Sequence, residues 1–157
     1  MVEKRTVRVK DYLHIYDEYV AQEAITPGMI VELRSDGKVQ KHSGEGEDVL
    51  PMFAMEDNLQ GKTVDQAYAE DDPCHVWIPQ RGDQVYALLD DDETVVVGDF
   101  LVSAGNGRLK KYEVESSSIM PYLYQERIVG QALYAVDLKS STGTWPSTGR
   151  RIIIRVI

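Results

Sequence analysis

Gly28-Met-Ile-Val31 runs through Asp36-Gly37 into Lys38-Val39-Gln40-Lys41. Gly98-Asp-Phe-Leu101 runs through Asn106-Gly107 into Arg108-Leu109-Lys110-Lys111. The two stretches lie 70 positions apart (98 − 28 = 70) and align without a gap. Asp-Gly or Asn-Gly between apolar runs predicts a β-hairpin with a type I′ turn, which needs positive φ at both central residues. A chain that uses this device twice describes a β scaffold and not a reaction centre.

The remaining apolar runs have the same scale. Residues 51–55, 75–78, 84–89, 95–101, 108–112, 128–136 and 151–157 are short, and Gly, Pro, Asn, Asp and Ser separate them. Residues 5–10 alternate as a strand, whereas residues 11–24 fit either an extended segment or a helical stripe. No strand–helix–strand alternation is visible. Short strands at this spacing predict an all-β fold, a small β-barrel or β-sandwich that is β-tulip/SH3-like or jelly-roll-like. The predicted division is an N-terminal arm and lead-in segment over residues 1–24, then a single β domain over residues 25–157. A chain of 157 residues is long enough to bury a core of its own.

Charge and motifs narrow the chemistry. The net charge of −9 argues against a nucleic-acid surface, which needs clustered Lys and Arg. No apolar run is long enough to span a membrane, and no secretory signal pattern is present. The single Cys74 and the scattered His14, His42 and His75 are too few and too dispersed to expect a closed four-ligand zinc site. Arg81-Gly82-Asp83 has the residues of an adhesive tripeptide but also those of an ordinary turn. Asp90-Asp91-Asp92-Glu93 lacks the alternating ligand spacing of a calcium loop. No Gly-x-Ser-x-Gly elbow marks a nucleophile, so the expectation is no enzyme and no cofactor. A carbohydrate-active enzyme with spatially paired carboxylates remains one alternative, and a binding or adhesin-type β module the other. Trp145, in the polar stretch Thr144-Trp-Pro146, is a candidate interface anchor. The first ten residues are net basic, with Lys4, Arg5, Arg8 and Lys10 against Glu3.

The ordered series Gly82-Asp-Gln-Val-Tyr-Ala-Leu-Leu89, Glu93-x-x-Val-x-x-Gly98-Asp-Phe-Leu-Val-Ser103, Gly107-x-Leu109 and Ile128-Val-Gly-Gln-Ala-Leu133 resembles the head-decoration, or cement, proteins of tailed bacteriophages. Ile25-Thr-Pro-Gly-Met-Ile-Val-Glu-Leu33 with Asp36-Gly37 adds a second patch. The resemblance implies a structural virion protein that is made in the host cytoplasm and binds the outside of an expanded icosahedral capsid. It would stabilise the shell against the pressure of packaged DNA. The implied partner is the major capsid protein, the implied state a homotrimer, and neither nucleic acid nor membrane is contacted directly. Lys4, Arg5, Thr6, Val7, Arg8, Val9 and Lys10 suit an arm that pairs with a capsid strand, although no motif of the family covers them. Deleting such an arm is expected to abolish capsid binding and leave the melting temperature nearly unchanged.

Overall fold

The structure, a computed structural model, describes residues 5–10, 15–113, 127–139 and 150–157. Thirteen strands lie among the described residues: β1 (Arg8–Lys10), β2 (Ile15–Val20), β3 (Val31–Leu33), β4 (Val39–Lys41), β5 (Phe53–Ala54), β6 (Pro73–Ile78), β7 (Gln84–Leu88), β8 (Thr94–Val95), β9 (Phe100–Ser103), β10 (Leu109–Lys111), β11 (Ile128–Ala132), β12 (Val136–Asp137) and β13 (Arg151–Val156). One 3₁₀ turn, Asn58–Gln60, lies wholly within the described residues. The fold is all-β.

A six-stranded sheet has the order β1-β7-β13-β11-β9-β10, and a three-stranded sheet the order β2-β6-β5. β3 pairs with β4, and β8 with β12. The bridge between Ile30 and Phe53 carries the three-stranded sheet on into the β3–β4 hairpin. The order β2-β6-β5-β3-β4 then matches β7-β13-β11-β9-β10 strand for strand.

The match extends to register. Tyr16, Glu18 and Val20 oppose Trp77, His75 and Pro73, as Gln84, Tyr86 and Leu88 oppose Arg155, Ile153 and Arg151. Ala54 faces Val76 as Ala132 faces Ile154. Single hydrogen bonds recur as well. Ala21 N donates to Asp72 O at 2.9 Å and Leu89 N to Arg150 O at 2.7 Å. Lys41 N donates to Glu23 Oε1 and Lys111 N to Glu93 Oε2, both at 3.2 Å. The echo seen in the hairpins is therefore one part of a tandem structural repeat that runs from β2 to β6 and again from β7 to β13. The offset rises along the chain, from 68 (84 − 16) through 70 (98 − 28) to 78 (131 − 53). Insertions of different length therefore hide the repeat from a gapless comparison.

The turns correct the type I′ expectation. Among the described non-glycine residues only Asp71 and Asp92 have positive φ, so Asp36 and Asn106 do not. Gly37 alone takes the left-handed conformation in the first turn, at φ 83°. Gly37 N donates to Arg34 O, and Arg34 N donates to Lys38 O. This is a three-residue loop closed by a glycine bulge. Asp36 and Asn106 contribute through their side chains, which accept from the N–H two residues on, at 3.1 and 3.0 Å.

Strand ends approach each other through single parallel bridges, Ala21–Val39 and Leu89–Leu109. The sheets curl but do not close into a barrel, which leaves the sandwich-like alternative. Each repeat has its own core. Ala21, Ile25, Val31, Val39, Ala54, Cys74 and Val76 are buried together, and so are their equivalents Leu89, Val95, Leu101, Leu109, Ala132, Ile152 and Ile154. Ile30, Phe53 and Trp77 of the first repeat join the second core, and Leu88 of the second joins the first. The equivalents of Phe53 and Trp77 are Gln131 and Arg155, which are not buried. The equivalents of buried Tyr86 and Ile153 are Glu18 and His75. Different halves of one face thus meet, and the repeats pack head to tail.

Gly28 and Gly98 are equivalent glycines with φ 90° and 95°. A Cβ at Gly28 would lie 2.4 Å from Arg151 Nη1 and 2.9 Å from Tyr86 O, whereas one at Gly98 meets nothing within 4 Å. Gly98→Ala should therefore cost about 1 kcal/mol, from backbone strain alone. Gly28→Ala adds overpacking and should cost about 3 kcal/mol. Urea denaturation of the two variants measures the difference directly.

Candidate interaction surfaces

The basic N-terminal segment is held against the body of the protein. Arg8 and Lys10 pair with Val85 and Gln84, which makes β1 the edge strand beside β7. Val7 is completely buried in the second core, where its N–H donates to Glu56 Oε2 at 3.0 Å. Tyr86 N donates to Val7 O at 2.7 Å. Arg5 is exposed, and Thr6, Arg8 and Val9 are half-buried. β2 also lies within residues 1–24 and is paired along its whole length with β6. Residues 8–10 and 15–20 are thus sheet members, and Val7 O takes the outward N–H of Tyr86 on β7. Lys4 and Trp145 lie outside the described residues.

A buried polar chain joins the two hairpins. His42 Nδ1 is 2.8 Å from Ser103 Oγ, and Gly105 N donates to the same hydroxyl at 3.2 Å. Glu32 Oε2 lies 3.8 Å from His42 Nε2. Burial pushes the Glu32 carboxyl up, but donors from Gln40 and Ser43 outweigh it and hold the group below its ordinary value. Ser, His and Glu in line have the residue types of a nucleophilic triad, a combination sequence spacing did not reveal. Ser103, however, has no exposed surface, and its hydroxyl is engaged with His42 and Gly105. The cluster fixes the loop after β4 onto β9. Within residues 42–48 His42 is buried and Gly46 N donates to Ser103 O, while Ser43, Glu45, Glu47 and Asp48 are exposed.

The remaining motifs resolve into structural parts. Asp83 is buried, and its carboxylate accepts from Gln80 N at 2.8 Å while Gly82 takes φ 98°. The Arg-Gly-Asp carboxylate is therefore turned inward as a turn cap. Asp90 and Asp91 face cations rather than one another: Arg108 reaches Asp91 at 2.8 Å, and Arg150 contacts the same oxygen. Among the described residues no group of three or more His, Cys, Asp or Glu side chains is arranged to hold a metal ion. No helix among them is long and apolar enough to cross a membrane. Burial pushes the Cys74 thiol up to about 12, so it stays protonated and unreactive at neutral pH.

An apolar groove opens on the first repeat, with Val31, Met52 and Ile78 as floor and Leu33 and Leu50 at its rim. Leu33 is 52% exposed, whereas its equivalent Ser103 is fully covered by the loop from the first repeat. The surface that the second repeat buries is thus left open on the first.

No family model and no curated protein matches the sequence. Among solved structures, the fold is similar to that of the N base of head fiber gp8.5 from bacteriophage phi29. The superposition has a TM-score of 0.53 at 12% identity and covers 92% of this chain and 95% of that one.

Proposed function

We propose that the protein is a structural component of a bacteriophage virion that binds the outer surface of the capsid and stabilises the expanded shell. The observation that carries this reading is the whole-length similarity of fold to a phage head fiber base. The acidic composition and the structural roles of the triad-like and acidic clusters accord with a role that needs no catalysis. A protein that binds only the expanded lattice stabilises it by mass action, and a homotrimer touching several capsid subunits gains avidity. The major capsid protein is the proposed partner. Since Val7 is committed to the core, contact through the N-terminal segment would use the side chains of Arg5 and Arg8 and the outer edge of β1. The neighbour's description as a fiber base supports a second reading, in which the protein anchors to the head without strengthening it.

Cosedimentation with expanded and immature shells tests the first reading. Binding to expanded shells alone is expected, together with a higher temperature for DNA release from filled heads. Binding without that shift favours the anchoring reading. Absence of binding to either shell would remove both.

A further inference from the structure

We propose that the outer edge of β2 is a docking site for one extended, basic segment of a partner protein. The internal repeat supplies the precedent. β2 is the equivalent of β7, and β7 is flanked on both sides, by β13 and by β1. β2 has β6 on one side, and among the described residues no strand lies on the other.

The backbone directions are fixed by the ladder. In an antiparallel pair alternate residues direct N–H and C=O to one neighbour and then the other. Ala21 N donates inward to Asp72 O, as Leu89 N does to Arg150 O, so the amides of Glu18 and Val20 point outward. Their equivalents on β7 are Tyr86 and Leu88, whose N–H groups donate to Val7 O at 2.7 Å and to Gly28 O at 3.0 Å. The same donors on β2 are presented along a strand whose Glu18 is exposed and whose Val20 is 42% exposed.

Charge selects the occupant. A strand docked on β2 in the register of β1 places its Arg8 equivalent opposite Asp17 and its Lys10 equivalent opposite Tyr16, because Arg8 faces Val85 and Lys10 faces Gln84 on β7. Asp17, opposite the Arg8 equivalent, is exposed, so a basic segment gains a cross-strand ion pair there, beside exposed Glu18, whose carboxylate lies 3.1 Å from His75 on β6. Two copies of β2 paired antiparallel about this point would instead oppose carboxylate to carboxylate. The acidic pair therefore both discourages self-association at an open edge and specifies a basic guest. The site does not depend on the guest being a capsid protein.

The test uses the intact protein and a fluorescein-labelled synthetic peptide carrying residues 3–12 of this chain, read by anisotropy at low salt. Saturable binding is expected, with a scrambled peptide binding at least tenfold more weakly. Glu18→Pro removes one outward donor at an edge position where proline is tolerated. The double variant Asp17→Lys, Glu18→Lys removes the charge and keeps the backbone. Each should weaken binding at least tenfold. Hydrogen exchange should slow at least tenfold at the Glu18 amide when peptide is bound. No binding by the intact protein overturns the proposal. So does equal affinity for the double variant, which would mean that the peptide exchanges with β1 on β7.

Discussion

Removal of residues 1–10 is expected to destabilise the protein by about 3–5 kcal/mol, from lost apolar burial and one orphaned buried acceptor. Val7 has no exposed surface and belongs to the larger core. Its loss alone costs about 1.5–3 kcal/mol. The deletion also takes the N–H that donates to Glu56 Oε2 and the C=O that accepts from Tyr86 N. Glu56 is 1% exposed, and its other contact, from Asn58 Nδ2, is 3.4 Å long. A buried acceptor left with so weak a partner adds about 1–3 kcal/mol. Urea denaturation should show the full loss in the deletion and only the Val7 part in Val7→Ala, which keeps the main-chain bonds. A deletion that unfolds at the wild-type midpoint would mean that the segment is not seated on β7. The expectation of an unchanged melting temperature treated these residues as a free arm. Capsid-binding experiments on the deletion would therefore confuse lost contacts with lost stability, and Arg5→Glu, at an exposed position, is the cleaner change.

The alternation that marked residues 5–10 as a strand holds for Arg8–Lys10 and not for residues 5–7, and nothing local could reveal its partner. Val7 and Val9 would look the same in a free arm, because the acceptor edge on β7 lies far along the chain. The same limit applies to the repeat. Glycine turns made residues 28–41 and 98–111 legible, since positive φ at Gly37 and Gly107 restricts residue type. Sheet positions carry no such restriction. Phe53 and Gln131 are equivalent, as are Trp77 and Arg155, yet one member of each pair is buried between the repeats and the other is not. Head-to-tail packing requires equivalent positions to diverge, which erases the sequence signal of the repeat where the structural match is closest. The burial of His42 was hidden for a related reason: its partner Ser103 belongs to the other repeat.

Arg151→Met should cost about 3–5 kcal/mol, the range for removing one member of a buried charged network. Arg151 occupies the position that the first repeat fills with exposed Pro73, so its role is particular to the junction. Its guanidinium crosses from β13 into the first repeat, donating to Pro27 O at 2.8 Å and to Val64 O at 2.5 Å. It also lies 5.4 Å from the centre of the Tyr86 ring. Methionine preserves most of the stem but leaves both carbonyls without these donors, so the loss exceeds that of packing alone. A double-mutant cycle separates this junction from a general loss of stability. Gly28→Ala is costly because its Cβ meets both Arg151 Nη1 and Tyr86 O. On an Arg151→Ala background the clash with Arg151 is gone but the one with Tyr86 O remains, so Gly28→Ala should cost about 2 kcal/mol, still more than Gly98→Ala, leaving a coupling of about 1 kcal/mol. Additive losses in denaturant midpoint would show that Gly28 and Arg151 do not share one contact. A measured coupling would instead locate the bond between the repeats at a glycine whose twin, seventy residues on, has no neighbour to meet.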